Sequence, residues 1–89
     1  MKKDQYPAPQ NLGFNIAVLM SGFVYVGHCS VIDGFLLISK ARNIRTWGTT
    51  KGLSELKSGA TSKTILDDAG EVLVPWHSVN HLIKCTKEW

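Results

Sequence analysis

Cysteine is scarce in this chain, which has only Cys29 and Cys85. Two are too few for a disulfide scaffold, so both are expected to be free thiols buried in a core. Long hydrophobic runs are also missing. The longest apolar stretch, Phe14 to Val26, is broken by Asn15, Ser21 and Gly22, and is too short to cross a bilayer. Lys2 and Lys3 make a basic start, but Asp4, Pro7 and Pro9 follow and no small-x-small cleavage site does. That argues against a secretory signal and for a cytosolic protein. Glycine-rich phosphate loops, nucleophile motifs and Cys-x-x-Cys pairs are absent. The carboxylates Asp33, Asp67 and Asp68 fall in turn-like segments, where aspartate caps backbone groups, and Glu55 stands alone. His28 and Cys29 are no dyad, because neighbours on a strand point to opposite faces. The chain is therefore not expected to be an enzyme, and no catalytic residue or cofactor is assigned.

What remains is enough for one domain. A chain of 89 residues has a thin core, and oligomerisation is a common way to bury more surface. Charged residues are 19% of the sequence and hydrophobic ones 44%, a surface short of charge and suited to cover by a partner. The net charge of +3 is weaker than the basic stripe of a duplex-binding protein. It suits a small anionic ligand or an acidic protein patch.

Along the chain, residues 1–12 read as a flexible N-terminal arm and residues 13–89 as a single domain. From Phe14 a period of two begins, with Phe14, Ile16, Val18 and Met20 on one face and Asn15, Ala17 and Leu19 on the other. Ser21-Gly22 marks a turn, and a second strand runs from Phe23 to Ile32. Asp33-Gly34 is the strongest hairpin signal, since both central residues of a type I′ turn need positive φ. A third strand spans Phe35 to Trp47. Between Gly48 and Gly59 lies the only helical signal, with Leu53 and Leu56 three apart, Thr50 as the cap and Gly59 as the stop. Residues 60–66 read as a short edge strand, Asp67-Asp68-Ala69-Gly70 as a turn, and Val72-Leu73-Val74 as a strand halted by Pro75. Pro75-Trp76-His77-Ser78 suits a 3₁₀ turn before a last strand, Val79 to Cys85. Short strands with tight turns predict a mostly-β fold, a small SH3-like or Sm-like barrel with one short helical turn. An open α+β sheet is the alternative.

The candidate ligand site is a rim cluster. Lys40, Arg42, Arg45, Trp47 and Lys51 fall close together, and Arg42 and Arg45 are the only arginines in the chain. Guanidinium groups hold phosphate oxygens bidentately and an indole stacks on a base. The same charges at a strand end also serve solvation and edge protection. Trp76 and His77, in a turn after proline, form either a pocket wall or a plug at the barrel bottom. His77, His81 and Cys85 are spaced by four, which on a helix would suggest zinc. On the expected strand His81 and Cys85 lie too far apart to share an ion, so no metal site is assigned.

The segment Val18 to Cys85 resembles a family of small, mostly phage-encoded proteins that carries no assigned activity. The resemblance rests on Ser21-Gly22, Val26-Gly27, Ala41-Arg42-Asn43-Ile44-Arg45-Thr46-Trp47, Leu53-Ser54-Glu55-Leu56, Ser62-Lys63 and Ile83-Lys84-Cys85. The second aromatic of the central motif is replaced here by Arg45. The resemblance implies a phage or prophage origin, and short phage proteins of barrel fold often sequester a host signal or cap a host protein. The combined expectation is a non-enzymatic, anti-defence binding protein. It would hold a small anionic nucleotide-type immune signal in a homo-oligomer, through Lys40, Arg42, Arg45, Trp47, Lys51, Trp76 and His77. The alternatives are a protein–protein module that inhibits a host protein, or an Sm-like nucleic-acid binder.

Overall fold

Alternating side chains build β1 (Gln10–Leu19) and β2 (Val24–Ile32), and the computed structural model describes residues 10–89. The arm read over residues 1–12 thus lies mostly outside the described residues, and Gln10, Asn11 and Leu12 are part of β1. β3 (Phe35–Thr46) follows β2 through Asp33 and Gly34 at φ 51° and 81°, the two positive values a primed hairpin turn requires. After the 3₁₀ helix η1 (Leu53–Ser58) come β4 (Ile65–Pro75), a 3₁₀ turn η2 (Trp76–Ser78) and β5 (Val79–Lys84).

The five strands form one antiparallel sheet in the order β4-β3-β2-β1-β5. The fold is mostly β, as its sequence predicts. The sheet is open, which matches the sheet of the alternative reading rather than a hydrogen-bonded barrel. The reason lies in strand direction. β4 runs antiparallel to β3, and β5 antiparallel to β1, so β4 and β5 could close the ladder only as a parallel pair. Parallel neighbours need a crossover of about a dozen residues, and only the three residues of η2 join these two.

The short link nevertheless bends the sheet. The Trp76 N–H donates to the Gly34 carbonyl at 2.9 Å, and the Met20 N–H donates to the Ser78 carbonyl at 2.8 Å. The turns at the two ends of β2 therefore both touch η2. A straight strand of that length would hold them roughly 27–30 Å apart, so the sheet curls around its own inner face.

Both faces of the sheet are covered. Ile16 and Ala17 are neighbours on β1 and both fully buried, although they point to opposite sides. Ile16 joins Val24, Val26, Ile44, Cys85 and the η1 residues Leu53 and Leu56 in one core. Ala17 joins Leu19, Cys29, Leu36, Ile38, Ala41 and Val74 in the other, inside the curl. η1 is pinned by the Thr86 N–H, which donates to the Lys57 carbonyl at 2.8 Å.

Three local readings are corrected. Asp67-Asp68-Ala69-Gly70 is no turn but the middle of β4, because β3 is long enough to pair with all of it, from Phe35↔Pro75 to Thr46↔Ile65. The stretch 60–66 enters a strand only at Ile65; before it, the Thr64 hydroxyl donates to the Trp47 carbonyl and the Thr61 hydroxyl to the Gly48 carbonyl, both at 2.7 Å. Thr50 does not cap η1. Gly52 stands at the cap position, and the Glu55 carboxylate accepts the N–H groups of Thr50 and Lys51 at 3.0 and 3.2 Å. No helix among the described residues is long and apolar enough to cross a membrane.

Candidate functional site

A bulge in β3 opens the principal cleft. The β3–β4 register shifts between Ile38 and Ala41 and again between Ala41 and Arg42, and the β2–β3 register shifts between Val26 and His28. At this kink Lys40 sits at φ 52°, a left-handed conformation that costs a lysine roughly 1–2 kcal/mol. Bulges re-aim side chains, and non-glycine residues held at positive φ cluster at functional sites. Gly27 is what lets the bulge pack on β2. A Cβ at that position would lie 2.8 Å from both the Ser39 carbonyl oxygen and the Ile38 side chain, and 3.2 Å from the Ala41 Cα.

The cleft has a volume of about 660 Å³, within the usual range for a small-molecule site. Lys40, Ala41 and Arg42 of β3 and Asp68 and Gly70 of β4 form one wall; Phe14, His28, Glu88 and Trp89 form the other. Ala41 faces Gly70 across the ladder, so no bulky side chain fills the space. A Cβ at Gly70 would meet nothing within 4 Å.

The second wall is an aromatic cluster. The Phe14 ring meets the His28 ring edge-on at 5.1 Å and the Trp89 ring at 6.3 Å. His28 Nε2 lies 3.3 Å from Glu88 Oε1. The Arg42 guanidinium carbon lies 5.5 Å from the centre of the Trp89 ring, a cation–π distance worth about 0.5–1 kcal/mol where water has access. The buried Trp89 indole N–H forms no hydrogen bond in this arrangement; the thiol of Cys85 near it is only a weak acceptor. Burial pushes the Cys85 thiol above its usual range despite that indole. Neither Lys40 nor Arg42 forms an ion pair with a carboxylate among the described residues.

The structure divides the seven sequence candidates. Lys40 and Arg42 come together in the cleft. Arg45 points elsewhere, donating from Nε to Asp67 Oδ2 at 2.8 Å beside a shallow depression of about 190 Å³ near Phe23. The Asp67 carboxylate holds the Arg45 guanidinium above its usual range, through the hydrogen bond first and the opposite charge second. Trp47 is 43% exposed and Trp76 44%, and neither lines the cleft beside the bulge. Lys51 lies exposed in the loop before η1, and His77 is exposed in η2. Among the described residues no cluster of His, Cys, Asp and Glu has the geometry to hold a metal ion.

Five cleft residues were not legible as site residues. Phe14 reads as one more member of an alternating strand, and His28 only as a neighbour of Cys29. Asp68 reads as a turn carboxylate, while Glu88 and Trp89 carry no pattern. What unites them is the β1–β2 and β3–β4 register and the return of residues 86–89 over the sheet. No family model matches the chain, and neither a curated protein nor a solved structure matches it.

Proposed function

We propose that this chain is a non-enzymatic binding protein that holds a small anionic, nucleotide-type ligand in the cleft beside the β3 bulge. One observation carries the reading: Lys40 and Arg42 line a cleft of about 660 Å³ without a carboxylate partner among the described residues, next to the Phe14 and Trp89 rings. The cations supply phosphate contacts and the aromatic wall supplies a stacking surface. The likeness to a phage family gives this chemistry a role, the sequestration of a host immune signal as an anti-defence protein. A homo-oligomer would add buried surface to so small a core and deepen a cleft that one chain leaves open.

Native mass spectrometry tests this directly, with the protein alone and with a panel of cyclic nucleotides, cyclic ADP-ribose-type molecules and a short oligonucleotide. A retained nucleotide, lost in Arg42→Ala and Lys40→Ala variants that still fold, is the expected result. Retention of nothing by the wild-type chain refutes the reading. Retention of the oligonucleotide alone, with affinity falling steeply with salt, replaces it by nucleic-acid binding.

A second reading, a protein–protein module, is favoured by one feature. Met20, Phe35 and Trp76 are 65%, 38% and 44% exposed around η2, joined there by the backbone bonds that tie the two hairpin turns to it. In that case Trp76→Ala abolishes partner capture and Arg42→Ala leaves it intact.

A further inference from the structure

Arg42 and Asp68 are direct partners across the β3–β4 ladder. Opposite charges at such a position normally attract and pair, and even Arg45 and Asp67, only diagonal neighbours on the same two strands, meet at 2.8 Å. Arg42 instead lies over Trp89, and no hydrogen bond or ion pair joins it to Asp68. The other cleft carboxylate, Glu88, faces His28 at 3.3 Å. Asp68 is therefore the carboxylate in this cleft that no side-chain donor meets among the described residues.

A free carboxylate in a phosphate site works against the ligand's charge unless the ligand also brings donors to it. An ionised carboxylate only accepts, and its two oxygens suit two N–H groups side by side. Among the common nucleobases, only guanine presents two adjacent N–H donors, N1–H and the 2-amino group, on its pairing edge. Adenine and cytosine place a donor beside an acceptor, and uracil flanks its one donor with two acceptors.

We infer that Asp68 makes the cleft selective for guanine, reading the base edge while Lys40 and Arg42 hold the phosphate. This rests on the nucleotide reading above and sharpens it to one base. It assigns Asp68 as the residue that determines specificity, with no part in any reaction.

Calorimetric titration with the monophosphates of guanosine, inosine, adenosine, cytidine and uridine tests it. Inosine keeps N1–H and lacks the 2-amino group, so it removes one donor and little else. The wild-type chain is expected to bind the guanosine nucleotide about tenfold more tightly than the inosine one, the usual weight of a hydrogen bond to a charged group. In Asp68→Asn that gap is expected to close, because the amide offers a donor where the second N–H needs an acceptor. Asp68 is exposed, so the variant should fold as the parent does, which thermal unfolding checks. Equal binding of all five nucleotides, or a guanosine preference that survives Asp68→Asn, overturns the inference and leaves the nucleotide reading standing. Binding of none of them overturns the inference, and overturns the nucleotide reading as well if the cyclic molecules of the mass-spectrometric panel are not retained either.

Discussion

Lys40 concentrates the conflict between stability and binding in one residue. Its φ of 52° is one that glycine adopts without a Cβ penalty, whereas the bulge holds a long cationic side chain there. The Lys40→Gly variant is therefore expected to gain up to about 1 kcal/mol of stability, the relieved strain less the extra chain entropy of glycine. It should lose ligand affinity at the same time. Paired denaturant melts and titrations check this, and a destabilised variant would mean that the bulge is held by the lysine itself. Lys40 and Arg42 were legible as a cationic pair because β3 turns amphipathic there. Arg42 and Arg45, three apart on a strand, fall on opposite faces by simple alternation, but the division of their roles was not legible. It depends on which side chain finds a carboxylate and which finds an indole, and those partners come from β4 and from residue 89.

At the scale of elements, η1 is too short to hold itself, since isolated helices need some 12–15 residues to be even marginal. It persists because Leu53 and Leu56 enter the core under the sheet and because Glu55 gathers the backbone N–H groups of the preceding loop. Leu56 is fully buried. Leu56→Ala is expected to cost about 2–4 kcal/mol and to loosen η1 together with residues 86–89, which Lys57 ties down. Chemical denaturation gives the cost, and hydrogen exchange at Thr86 reports the loosening. A loss under about 1 kcal/mol would mean that η1 is an attachment with little share in the core. The leucine spacing and Gly59 marked this helix in the sequence. The aspartates of β4 misled, because aspartate favours turns in isolation and only the length of β3 draws it into a ladder.

For the molecule as a whole, the two cores each enclose one thiol. Burial pushes Cys29 up to about 11, partly opposed by its hydrogen bonds with Asn15, and raises Cys85 in the same direction. Both thiols stay protonated in the folded state where the unfolded chain, near pH 9, already releases its protons. The unfolded state then binds fewer protons, so stability falls as pH rises. Full stability is expected below about pH 9, with a progressive loss between pH 9 and 11, and the loss should be smaller in Cys29→Ala measured against its own neutral-pH value. Melting temperatures from pH 7 to 11 decide this, and a flat profile would mean that water reaches the thiols. Neither thiol is expected to react with a bulky alkylating agent at neutral pH while the chain is folded.

The sequence by itself determined the mostly-β class, the Asp33-Gly34 hairpin, the turn before β5, the one short helix and the burial of both cysteines. Each follows from a local rule, a period of two or the φ demand of a turn, acting over a few neighbouring residues. Tertiary structure decided that the sheet stays open, since strand direction only has consequences once all five strands are ordered. It also decided that Phe14, His28, Asp68, Glu88 and Trp89 join Lys40 and Arg42 around one cleft. Those residues are far apart along the chain, and only the register of the sheet and the path of the last residues bring them within reach of one another.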